Sequence, residues 1–136
     1  MNNFRFAVPA LAFVAVMGAA GAAFATPVFS VAAPGSGMAI DEFESQLDAY
    51  NAADVTDLVA AKTVSVVKYD TAWTDDKDRS ESINLLTADG QFINLLREGI
   101  KANPAASKLL TENKIVINDV VDITSDGAGN VVVYVS

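Results

Sequence analysis

The chain has 136 residues, neither cysteine nor histidine, and 17 acidic against 9 basic residues, a formal net charge of −8. Without those two residue types it lacks the usual general base near neutral pH, the thiol nucleophile and the commonest zinc ligands. Serine–histidine triads, thiol redox chemistry and nearly every zinc centre are thereby excluded. The negative balance, with eight of the nine basic residues scattered from Lys62 to Lys114 and forming no stripe, opposes binding to nucleic acid and to anionic membrane surfaces.

Residues 1–25 read as a secretory signal: a positive start at Arg5, an uncharged apolar stretch from Phe6 to Phe24, and small residues at Ala23 and Ala25. Cleavage is expected after Ala25, with a second possible site after Ala32. Removal of the signal takes Arg5 with it and leaves 111 residues carrying eight basic and seventeen acidic side chains, a net charge of −9. That length suits one domain. An exported location, periplasmic or secreted, is the expectation, with no membrane attachment once the signal is removed. The acidity by itself asks for nothing beyond solubility, although an acidic site for a cationic partner would show the same balance.

Residues 26–38 read as a flexible leader, because Pro27, Pro34, Gly35, Ser36 and Gly37 interrupt regular structure. Val28, Phe29 and Val31 are compatible with a short edge strand, against which the flanking prolines weigh. A single domain is expected over 39–136. Ile40, Phe43, Leu47 and Tyr50 recur at helical spacing between acids, which predicts an amphipathic helix, and 53–61 predicts a second, shorter one.

Residues 63–69 are short, β-branched and partly alternating, a strand signal. Beyond the charged run 74–81, apolar residues at 85, 86, 92, 93, 96 and 100 fall on one broad helical face, with Gly90 as a possible break. Asn103-Pro104 predicts a restart, Asn103 capping a short helix through Thr111. Two β-branched runs, 115–124 and 131–135, flank the glycine-rich stretch 125–130 and predict a β-hairpin. The resulting fold class is α+β: a small two-layer sandwich with a three-stranded mixed sheet and helices mainly on one face. One strand reaches the C-terminal hairpin through a helical crossover, which joins parallel strands.

No phosphate-binding or dinucleotide-binding glycine pattern is present. Asp75, Asp76, Asp78 and Glu81 lie within seven residues and are the metal candidates, since hard cations take clustered oxygens. An EF-hand loop starting at Asp76 fails, because Glu81 stands where glycine is needed and Thr87 where the bidentate glutamate belongs. Alternation with Lys77 and Arg79 favours a solvated charged face instead. Asp119, Asp122, Asp126 and Asn130 surround the hairpin, where turn formation accounts for Asp126 and Asn130 without a ligand.

Tyr69 and Trp73 are candidates for stacking on a sugar or peptide, against the ordinary use of aromatics as core. Val132 and Tyr134 give the last strand a second apolar face, to be covered by the leader, a second copy or an extended partner peptide. No cofactor is expected. The function these features favour is an exported, small, acidic, non-catalytic binding or interaction module of the bacterial cell envelope. A carboxylate-dependent hydrolase or lyase and a structural envelope protein self-associating through a sheet edge are the alternatives.

Overall fold

A computed structural model describes residues 26–136; the expected signal over 1–25 lies outside the described residues. The leader supplies β1 (Val28–Val31), followed by α1 (Ile40–Asp48), α2 (Ala53–Val59), β2 (Thr63–Lys68), α3 (Asp76–Ala88), α4 (Gly90–Lys101) and α5 (Pro104–Glu112). A 3₁₀ turn at Ile117–Asp119 then leads into the hairpin of β3 (Val120–Ser125) and β4 (Asn130–Val135). The architecture is α+β, with one open mixed sheet ordered β1-β2-β4-β3. β1 lies parallel to β2, β2 parallel to β4, and β3 antiparallel to β4. The long crossover leaving β2 therefore ends on a strand, β3, that runs antiparallel to it, not parallel as expected, and the hairpin turn brings β4 back parallel beside β2.

The sheet has four strands where three were expected. Pro27 and Pro34 stand just outside β1, so their missing N–H groups interrupt none of its ladder bonds. Val28 N–H donates to the Lys62 carbonyl at 3.0 Å and Ala32 N–H to that of Val66 at 2.8 Å. The rest of the leader is also tied down: Gly35 and Gly37 donate to the Thr71 and Ala72 carbonyls, and the Trp73 indole donates to the Met38 carbonyl at 2.7 Å. A Cβ built at Gly37 would lie 2.8 Å from Trp73 Cε2 and 2.9 Å from the Ala72 carbonyl oxygen. Gly37→Ala is therefore expected to lower the unfolding free energy by about 1–3 kcal/mol, the usual range for forcing a methyl into packed surroundings. Gly90→Ala, at the start of α4 where a Cβ meets nothing within 4 Å, serves as the control in the same urea titration, with no loss of stability expected.

Sequence and structure agree closely at several boundaries. Asn103 Oδ1 accepts the Ala106 amide at 3.2 Å and caps α5 with Pro104 in its first turn. The helical break falls between Ala88 and Gly90. Asp75 caps α3, so most of the charged run forms the first turns of that helix. β3 begins later than its composition suggests, because Lys114 takes a left-handed conformation (φ 61°) and the 3₁₀ turn follows it.

Helices cover both faces of the sheet, not mainly one. On the first face Val64, Val131 and Val133 meet Leu58 of α2, Leu96 and Ile100 of α4, and Leu110 of α5. On the second, Val67 and Tyr134 meet Ile40, Phe43 and Leu47 of α1, Leu85 of α3 and Ile93 of α4, with Tyr69 and Trp73 among them. β4 is apolar on both faces for this reason, since successive strand residues point to opposite sides. The cover over Val132 and Tyr134 is thus chiefly α1 and Trp73. The leader contributes Ala32 and Met38, whose amide donates to Tyr134 Oη at 3.1 Å, whereas Phe29 packs against the opposite face. A bulge between Val120 and Asp122 lets Val120 and Val121 be buried on different faces and sets Asp122 opposite Tyr134.

Candidate functional site

Asp41, Glu44 and Asp48 follow one another on α1 at spacings of three and four, which aligns them along one side of the helix beside its apolar stripe. Two other acids approach this row from α3 and its end. Carboxylate oxygens of Asp41, Glu44 and Glu81 all lie within 4.8 Å of one another, and so do those of Glu44, Asp48 and Asp89. Five carboxylates thus form a continuous seam, with Glu44 shared between the two groups. Beside it an open groove of about 430 Å³ is lined by Glu44, Lys77, Ser80, Glu81 and Asn84 over Leu85 and Ala88.

Asp89 is the unusual member. It is the single residue between α3 and α4, and as the residue preceding α4 it could cap that helix, yet its side chain makes no capping bond. The residue is only 8% exposed, and its Oδ2 is buried with no hydrogen-bond partner. Burial raises its pKa to about 6, assisted by contact with the Asp48 carboxyl and by the negative charges of Asp48 and Glu44. Every neighbouring charge acting on Asp89 is therefore of its own sign.

The four acids singled out by their closeness in sequence do not act together. Asp75 spends a carboxylate oxygen on the Asp78 amide at 3.1 Å, Asp76 is exposed in the first turn of α3, and Glu81 alone reaches the seam. Asp126 is a turn former: it accepts the Ala128 and Asn130 amides at 2.7 and 3.2 Å and the Asn130 side chain at 2.7 Å. These bonds hold its pKa below the ordinary carboxylate value, the Asn130 side chain contributing most.

Tyr69, Trp73 and Tyr134 are 5%, 5% and 2% exposed and Val132 is half-buried, so none of these three rings is open for stacking. The Trp73 and Tyr134 rings stack on each other with centroids 6.0 Å apart, and Tyr69 Oη donates to the Ser82 carbonyl at 2.6 Å. Burial raises the pKa of both tyrosines. Asp122 is buried on the same side, one oxygen accepting the Ile123 amide at 2.9 Å and the other unpartnered. It is enclosed by the fold and offers no opening to a ligand.

Asp41, Glu44, Asp48 and Asp89 were not distinguished by sequence reasoning as a site. Their one local trace is the acidic row on α1; the meeting with residue 89 spans some forty residues of chain and needs the tertiary fold. Among the described residues no helix is long and apolar enough to cross a membrane. Comparison of the chain with protein-family models, with curated proteins and with solved structures finds no match.

Proposed function

We propose that the protein is an exported, non-catalytic binding module of the bacterial cell envelope, and that its binding face is the acidic seam between α1 and the α3–α4 junction. The observation that carries this reading is the convergence of five carboxylates, among them the buried Asp89, whose Oδ2 has no hydrogen-bond partner. Like charges held this close are unfavourable without a counter-charge, and the fold retains them at the margin of its second core, where burial amplifies the repulsion. A cationic ligand relieves it.

The groove beside the seam is open and carries charged and polar side chains, Glu44, Lys77, Ser80, Glu81 and Asn84, which suits capture more than acid–base hydrolysis in a closed cleft. The chain also lacks histidine and cysteine, leaving carboxylates as the principal acid–base groups. The protein, purified as the cell processes it, would be titrated with sodium, calcium and spermidine at constant ionic strength while backbone amide resonances are followed. Polyvalent cations are expected to shift amides of α1, α3 and Asp89 in a saturable way. Weak shifts spread evenly over all acidic residues would overturn the assignment of the seam.

A further inference from the structure

We infer that Glu44, Asp48 and Asp89 form a site for one hard divalent cation, Ca²⁺ in preference to Mg²⁺. This rests on the reading of the seam as the binding face and names its ligand.

Oxygens of the three carboxylates lie within 4.8 Å of one another, the spread allowed around a central ion placed about 2.3–2.6 Å from each, the distance range of calcium ligands. The acids near one another in sequence at 75–78 lack this arrangement. Two oxygen donors come from successive turns of α1 and the third from the α3–α4 junction, so an ion would pin the junction to α1.

Acidic clusters on protein surfaces commonly need no ion, and the neighbouring Asp41–Glu44–Glu81 group has the positively charged Lys77 lining the same groove as Glu44 and Glu81. What separates the Asp89 group is the buried Oδ2 without a donor. A buried carboxylate oxygen is ordinarily satisfied by an N–H or O–H group, and the natural donors, the first amides of α4, are not bonded to it. One oxygen of the carboxyl lies instead within 4.8 Å of oxygens of Asp48 and Glu44, which as carboxylates offer only acceptors. A cation bridging all three supplies what is missing.

The preference for calcium follows from the site's construction. Glu44 is half-buried and Asp48 exposed, so water can complete a coordination shell of six to eight oxygens, while Mg²⁺ demands a tighter octahedron and surrenders its waters reluctantly. Three carboxylates on a largely open surface place the dissociation constant on the order of 10⁻⁴–10⁻³ M, the range of extracellular calcium modules.

Calorimetry and amide-resonance titration with CaCl₂, on the protein as the cell processes it, would test the assignment. The expected result is one saturable site with shifts centred on residues 44, 48 and 89, at least tenfold weaker binding in Asp89→Asn, and unchanged binding in Asp76→Asn. Should Asp89→Asn fail to fold, Asp48→Asn gives the same readout at an exposed position. Unaltered calcium affinity in a folded Asp89→Asn or Asp48→Asn protein would overturn the site. So would the absence of localised shifts up to about 10 mM Ca²⁺, well above the range for such modules. Saturable binding of spermidine at the seam, with calcium inert, would overturn the metal site while leaving the seam as the binding face. Failure of both cations would overturn both.

Discussion

Phe43→Ala is expected to lower the unfolding free energy by about 3–5 kcal/mol, the range for removing a fully enclosed phenylalanine side chain. Phe43 is 0% exposed and its ring centroid lies 4.7, 5.0 and 5.9 Å from those of Tyr134, Trp73 and Tyr69, joining α1 to every aromatic of the second face. Its neighbours Trp73 and Tyr134 are held by bonds to the Met38 backbone and cannot readily collapse into the space left behind. Against a total stability of about 5–15 kcal/mol for a domain of this size, and with no disulfide to limit the unfolded chain, that loss is large. Urea unfolding followed by Trp73 fluorescence measures it. A loss below about 1 kcal/mol, typical of partly exposed positions, would mean that α1 is not the main cover of this face.

The same substitution bears on function, because α1 also carries Glu44 and Asp48. A loosened α1 would weaken cation binding without any carboxylate being changed. Phe43→Leu, which retains much of the apolar volume, is expected to preserve more of both properties and so links the packing of the helix to the geometry of the seam.

What could be read from the sequence was whatever depends on neighbours along the chain. The spacing of Ile40, Phe43 and Leu47, the Asn103-Pro104 cap and the glycine-rich turn before β4 each carry a local physical cause, and the elements lie where those causes place them. β1 was obscured because prolines argue against a strand in general, whereas only their position relative to the ladder decides the matter. The two apolar sides of β4 were visible in Val132 and Tyr134, but which segment covers them depends on where α1 returns across the sheet. The site was legible least of all. Asp75, Asp76 and Asp78 are close in sequence yet occupy the cap and first turn of α3, while Asp89, in a stretch that reads as a turn, meets acids from α1 only after folding.

The largest expected response to pH belongs to Asp122. Burial raises its pKa to about 7, with Asp54 on α2 adding a like charge and the Ile123 amide opposing the shift. Tyr134, its partner across the β3–β4 ladder, is neutral near pH 7, so its phenol brings no compensating positive charge. In the unfolded chain the same carboxyl titrates near 3.8, the ordinary value. Between those limits the folded protein holds a proton that the unfolded chain has released. Stability from this group is therefore fully present below the lower value, declines as pH rises through the interval, and levels off above the upper one. A difference of about three pH units corresponds to at most about 4 kcal/mol.

Asp122→Asn removes the titration and keeps an oxygen for the Ile123 amide, at the expense of a buried NH₂ group that lacks an acceptor, about 1–2 kcal/mol. The variant is therefore expected to be no more stable than the wild type near pH 4 and more stable by about 1–3 kcal/mol near pH 8.5, where the wild-type carboxyl must be charged in the core. Every other acid of the wild type is present unchanged in the variant, so the difference between the two curves isolates position 122. Urea unfolding at several pH values would show the curves crossing. Parallel curves across the whole range would mean that Asp122 ionises in the folded protein as it does in the unfolded chain, and that its enclosure against the second face carries no electrostatic penalty.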